Sequence, residues 1–392
     1  MLHSYITGKK LILVMKVKSI NGRSIEEVRK AILHCMDETF KPTLAIVFTS
    51  LKEDCKDLQD LFNEYQISLF GLSSNGEFID DSHQVNSAVV MLLDMNREWF
   101  KIEISNAENH NLLDISSQIG QTGKDLFSNP GFIISIANTT LNAGAFIQGL
   151  ISTCGKDVTV FGGNPASEGM SGGFAFTNHF KTDQGVIALI LDQAKVAMEG
   201  EAISGWKPVG TAKTITDCDG SWVKTLDDKP ALDILLKYMG TEINFEDEDD
   251  LYNQIGAIYP VQILHDDGTC HMLPPLFFNQ KEGSFMLAGP VEQGTKIKFS
   301  MPPDFEVVDT VIESARQKKK EMSQDVDGMI IFSCLGRLSC LGPMIEEEIK
   351  GLIETWNAPT VGFFTFGEFG KVKNGQPMFH GTTVSWVTLK EK

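Results

Sequence analysis

The stretch VGFFTFGEFG (361–370) ends an apolar run on a Gly-Glu pair, and FGLSSNGEFI (70–79) ends the same way near the other end of the chain. Glu77 and Glu368, each held by a tight glycine turn at a strand end, are carboxylates placed to receive an ammonium group. A cation that leaves water needs a matched anion. The plainer alternative is a Glu that stabilises its turn by capping a neighbouring segment. Arg337, in FSCLGRLSC, follows a wholly apolar run, so its guanidinium is expected at the carboxyl end of a strand, where open α/β sheets bind ligands. Its planar fork suits a carboxylate. The competing reading is an ion pair with Glu346 or Glu347 on the next helix. Arg337 for an acid group and Glu368 for an amine would form a cradle for a zwitterion.

Further polar groups gather at the same strand ends. Thr365 and Ser73 precede the two Gly-Glu pairs and offer hydroxyls, or else face a neighbouring sheet. Gly367 shapes the second turn. In FGGNPASEG (161–169), Gly163, Asn164 and Ser167 bring small polar groups and backbone N–H donors that suit an anion or the polar edge of a ligand, and a plain wide turn explains them equally well. A Cys334 thiolate would need a base, and His380 is the histidine of the same stretch. A buried thiol acting as a small hydrophobe is the simpler reading. With no nucleophile elbow, HExxH or P-loop, catalysis is not expected. No cofactor is expected either. The alternative is a non-covalent haem b with His380 or His179 as axial ligand, since no CxxCH is present.

Three copies of a β-α-β-β order position these residues. TLAIVFTS (43–50), KDLQDLFNEY, ISLFGLSS and SAVVMLLDM form the first. FIISIAN, NAGAFIQGLIS, DVTVFGGNPAS with GFAFT, and GVIALILD form the second. GMIIFSCLG, MIEEEIKGLIETW, TVGFFTFGEFG and TTVSWVTLK form the third. In each copy the middle strand carries a glycine after an apolar residue, Gly71, Gly162 and Gly362, a position usually kept for a bulge or a close backbone approach. Between the second and third copies, Asp219-Gly220 marks a β-hairpin, and a helix begins near Pro230. The acidic segment 243–254 suits the first turn of a helix or, less simply, a metal.

The chain has 392 residues with a net charge of −18, which disfavours surfaces that neutralise nucleic-acid phosphates or anionic lipids. Its seven scattered cysteines include no CxxC, so reduced thiols in a cytoplasmic protein are expected, with no signal peptide and no transmembrane run.

FGLSSNGEF, VFGGNPASEG, SGWKPVGTAKTIT with LDDKPALDILLKYMG, FMLAGPVEQGTKIKF, IFSCLGR, and PTVGFFTFGEFG with FHGTTVSWVTL together resemble the FIST family, in both its N-terminal and its C-terminal domain, over nearly everything after about residue 40. The resemblance implies a sensory module that binds small molecules such as amino acids and reports to a signalling partner protein. A subset of the family senses nitric oxide through haem. The expectation is therefore an α/β (α+β) protein with mixed sheets built from repeated β-α-β-β units. It comprises a lead-in segment (1–40), an N-terminal FIST-like domain (41–205) and a C-terminal one (206–392), and it binds a small polar ligand without catalysis.

Overall fold

The structure, a computed structural model, describes residues 15–51, 55–80, 82–108, 111–138, 142–166, 172–240 and 252–392. The first unit runs β1 (Lys16–Gly22), α1 (Ile25–Cys35), β2 (Leu44–Thr49), α2 (Cys55–Glu64), β3 (Ser68–Ser73), a short hairpin β4 (Glu77–Ile79) and β5 (Ser82–Gln84), and β6 (Ala88–Asp94). The second repeats it as β7 (Phe100–Asn106), α3 (Leu112–Leu126), β8 (Pro130–Ile136), α4 (Ala143–Cys154), β9 (Thr159–Gly163), the hairpin β10 (Ala175–Phe176) and β11 (Lys181–Thr182), and β12 (Gly185–Asp192).

The third unit opens with β13 (Val196–Ile203) and is then interrupted by an insert. The insert comprises β14 (Pro208–Asp219), β15 (Trp222–Leu226), β16 (Lys229–Pro230), α5 (Ala231–Met239), β17 (Val261–Leu264), β18 (Cys270–Leu273), β19 (Pro275–Asn279), β20 (Ser284–Leu287) and β21 (Lys296–Ser300). The unit resumes with α6 (Glu306–Met322), β22 (Gly328–Cys334), α7 (Leu335–Leu341), α8 (Met344–Trp356), β23 (Thr360–Thr365), the hairpin β24 (Glu368–Lys371) and β25 (Pro377–His380), and β26 (Val384–Glu391). The α/β architecture with mixed sheets and three repeated units is thus present. Each unit has one more β-α pair in front than the sequence pattern suggests, and residues 16–35, set apart above as a lead-in, supply that pair for the first unit.

The three units share one sheet order. It runs β1-β6-β2-β3-β10-β11, β7-β12-β8-β9-β24-β25 and β13-β26-β22-β23-β4-β5. In each, the two central strands are parallel and the hairpin at the far edge comes from another unit. Unit one gives its hairpin to unit three, unit three to unit two, and unit two to unit one. The exchange is cyclic and leaves no unit complete on its own. The Gly-Glu corners are the points at which the chain leaves its own sheet and joins the next.

This topology explains two of the three mid-strand glycines. Phe176, Phe369 and Phe78, each on a donated strand, sit opposite Gly71, Gly162 and Gly362. A methyl group on Gly71 would lie 2.4 Å from the Phe176 ring, and one on Gly362 would lie 2.0 Å from the Phe78 ring. At these two positions the missing side chain makes a seat for an incoming aromatic, whereas a methyl group on Gly162 would strike the Ile134 carbonyl at 2.0 Å.

The inner faces of the three sheets meet in one apolar core, with Phe48 and Phe363 ring centroids 4.5 Å apart at its middle. Helices cover the outer faces, so β2, β8, β22 and β23 are buried along their whole length. The insert forms a separate sheet, β18-β17-β21-β14-β15-β20-β19, with its own core closed by α5. Among the described residues no helix is long and apolar enough to cross a membrane.

Candidate functional site

At the corner of unit three, β22 delivers Cys334, β23 delivers Thr365, and Gly367, at φ +93°, turns the chain so that Glu368 begins β24. A left-handed conformation here is open to glycine at little cost. The Glu368 carboxyl is fully buried. It accepts hydrogen bonds from the Thr365 hydroxyl, from the Thr383 N–H at 3.3 Å and from the Cys334 thiol. Burial nevertheless dominates and holds its pKa well above the usual carboxylate range. Burial, then the neighbouring Glu368 charge, pushes the Cys334 thiol up as well. A thiol so disposed is a hydrogen-bond donor, not a thiolate nucleophile.

Arg337 lies on α7, fully buried, and its fork grips the carboxylate of Glu348 on α8, with Nε 3.0 Å from Oε1 and the second nitrogen on Oε2. The ion-pair alternative is therefore the one found here, with Glu348 as partner and not Glu346 or Glu347. Arg337 also donates to the carbonyls of Ser204 (2.5 Å) and Thr382 (3.3 Å), and its guanidinium stacks on Trp206 at 5.0 Å. Thr382 is a buried β-branched residue at φ +54°. Its N–H points at the Cys334 sulfur, 3.2 Å away. A β-branched side chain in the left-handed region is strained. The hydroxyls of Thr382 and Ser333 are buried with no hydrogen-bond partner among the described residues.

Unit one builds the same constellation from smaller parts. Glu77 accepts from Ser74, from Ser87 at 2.7 Å and from Ser50, and burial raises its pKa to about 7. The strand register makes Ser50, Ser74, Glu77, Asn86 and Ser87 the counterparts of Cys334, Thr365, Glu368, Thr382 and Thr383. Asn86, like Thr382, has a positive φ, +53°. In unit two the corresponding positions hold Ala137, Pro165, Ala175 and Gly185, and the backbone still closes with Ala137 N–H on Gly185 at 2.8 Å.

The sequence-derived candidates divide accordingly. Cys334, Thr365, Gly367 and Glu368 meet at one corner, with Arg337 on its flank. Gly163 pairs with Glu368, and a methyl on it would strike Thr365 at 2.4 Å. Asn164 exchanges backbone hydrogen bonds with Phe366 and Gly367 and receives the Ile136 N–H on its side chain at 3.0 Å, splicing unit two to this corner. Glu77 belongs to the separate corner of unit one. Ser73 is not the counterpart of Thr365, which is Ser74. Its hydroxyl instead bridges the Ala166 carbonyl and the Phe174 N–H, where the hairpin of unit two arrives.

His380 is fully buried, with Nε2 3.2 Å from the Gly370 carbonyl and its ring edge-on to His271. Burial lowers its pKa to about 4. His179 is exposed on the β10–β11 turn. Ser167 and most of the acidic segment 243–254 lie outside the described residues. Sequence reasoning missed Ser50, Ser74, Ser87, Glu348, Thr382 and Thr383. For Ser74 the signal was present, because SNGE and TFGE both place a hydroxyl three residues before the acid.

A model described as the FIST N domain matches residues 43–229, and one described as the FIST C domain matches residues 231–371. The chain belongs to the FIST family. FIST domains are associated with sensory roles in signal transduction. A comparison with curated proteins finds no match. The two FIST models divide inside the insert, at the start of α5, whereas the exchanged hairpins cross that division twice, β4–β5 in one direction and β24–β25 in the other.

Proposed function

We propose that this FIST protein is a cytoplasmic sensor that binds a small polar ligand, an amino acid in the first instance, at the corner of unit three and leaves it chemically unchanged. The carrying observation is internal. Unit two makes the same corner from Ala137, Pro165, Ala175 and Gly185, so the fold does not require the acid and its hydroxyls. Burying a carboxyl group is costly even when it is hydrogen-bonded. Keeping one at unit three, beside a buried arginine, points to a role other than shape.

In this reading Glu368 is neutral in the closed state and ionises when a ligand ammonium arrives. Arg337 takes the ligand carboxylate in exchange for Glu348. Entry runs through the strained Gly381–Thr383 loop. The same arginine touches Ser204 and Trp206 at the root of the insert, and the Trp206 indole donates to Ile258 within it at 3.0 Å. Occupancy would therefore loosen the insert, which presents the signal to a partner protein. Absence of catalysis is supported by the raised Cys334 thiol, and a cytoplasmic setting by seven free cysteines. The haem alternative gains nothing from His380, whose Nε2 is engaged by a carbonyl.

The test is a thermal-shift screen against amino acids and small metabolites, because a ligand that binds only the folded state raises the melting temperature. The expected hit stabilises the parent and Glu77→Gln but not Glu368→Gln. A hit that stabilises all three equally places the site elsewhere.

A further inference from the structure

Two adjoining cavities, of about 360 and 240 Å³, lie between β13, α6 and the turn after β24, and share Lys318 and Glu321. Glu201, on β13, lines the smaller one and is only 8% exposed. Its side chain receives one hydrogen bond, from the Ser314 hydroxyl at 2.7 Å. Of the four lysines lining the two cavities, Lys318 pairs with Glu199 at 2.9 Å and Lys373 with Glu321 at 3.4 Å, while Lys371 and Lys392 line the walls without reaching Glu201. Among the described residues no Lys, Arg or His lies within ion-pair distance of Glu201. A single hydroxyl donor leaves most acceptor positions of this carboxylate open toward the cavity, where a cation would satisfy them.

We propose that this groove binds a small organic ammonium carried on a short aliphatic chain. A primary ammonium has three N–H donors. Here they meet the Glu201 carboxylate, the Ser314 oxygen, whose own proton is given to Glu201, and the Gln317 carbonyl across the cavity. Calcium or magnesium would need six or more oxygen ligands, and zinc favours Cys and His, neither of which lines this cavity. Beyond Lys318 the larger cavity offers Ala197, Met198 and Met322 to a short alkyl chain, among the polar groups of Gln193, Glu199, Gln324 and Lys392. This site is separate from the corner proposed above, although Lys371, on its rim, lies on the same strand as Glu368.

The experiment is calorimetric titration of the full chain with n-butylamine, with n-butanol as the uncharged control, at about pH 7.5. The expected result is saturable amine binding in the parent, weakened at least ~10-fold by Glu201→Gln and less by Ser314→Ala, with butanol silent and Glu368→Gln indistinguishable from the parent. Glu201→Gln keeps the side-chain shape, and Ser314→Ala, at a half-buried position of α6 that lines the cavity, tests the same contact from the other side. No saturation below about 10 mM in the parent, or equal binding by Glu201→Gln, overturns the proposal. Loss of binding in Glu368→Gln alone would assign the amine to the corner and overturn it equally.

Discussion

Replacing Glu77 by Gln isolates the energetic consequence of burying an acid at a crossover corner. The carboxyl sits among three serine hydroxyls, and burial moves its pKa from 4.5 to about 7. Each tenfold change in proton affinity is worth about 1.4 kcal/mol. The folded state thus binds this proton more tightly than the unfolded chain does. The stability it contributes is complete below pH 4.5 and is lost as pH rises through about 7. Fully developed, the loss is roughly 3 kcal/mol. Gln has nothing to ionise, so the variant is expected to match the parent within about 1 kcal/mol at pH 4.5 and to exceed it by up to about 3 kcal/mol at pH 8.5. Urea denaturation of both proteins at the two pH values measures this difference directly. A variant that is equally or less stable than the parent at pH 8.5 would mean that Glu77 is already ionised in the fold and that its serine cage outweighs burial.

Three further outcomes follow from the geometry. Phe176→Ala should cost about 3–5 kcal/mol and Gly71→Ala about 1–3 kcal/mol, and the double variant should cost less than their sum, because the ring and the new methyl group compete for one seat. Additive costs in urea denaturation would separate the two residues. Arg337→Met should destabilise by roughly 3–5 kcal/mol by stranding the Glu348 charge, and adding Glu348→Met should recover most of it; a double variant as unstable as the single one contradicts the buried pair. Cys334 should react with iodoacetamide in the native protein no faster than the chain unfolds, followed by peptide mass spectrometry. Rapid labelling at pH 8 would reveal a thiolate and revive the nucleophile reading.

Much of this architecture is legible in the residues, and what is hidden has a physical reason. Continuous apolar runs such as FIISI and GMIIF mark strands buried on both faces, and three of them in a common order reveal the repeat. Gly71, Gly162 and Gly362 stand out as close-approach positions. At Gly71 and Gly362 the approaching group is a phenylalanine from another unit, at Gly162 it is the Ile134 backbone of the adjacent strand, and nothing local in the sequence says so. The opening pairs β1-α1 and β7-α3 escape because β1 and β7 sit at sheet edges and mix charged residues such as Lys16, Lys18 and Glu103 into their strands. The third corner is hidden because Ala175 replaces the acid, and only the following Phe176 keeps the signature. At the site, Glu368, Thr365 and Cys334 could be picked out because they flank one turn. Thr382, Thr383 and Glu348 could not, since they arrive from the next hairpin loop and from α8.

The central claim is that Glu368 is a proton-holding, ligand-responsive acid, and its own carboxyl resonance tests that claim. In protein labelled with ¹³C at glutamate side chains, the Glu368 signal, assigned by its absence from Glu368→Gln, should report a protonated carboxyl at neutral pH. It should shift to the ionised position when the strongest amino-acid hit from the thermal screen saturates the protein. A signal already ionised in the free protein, or unmoved at saturation, would contradict the account.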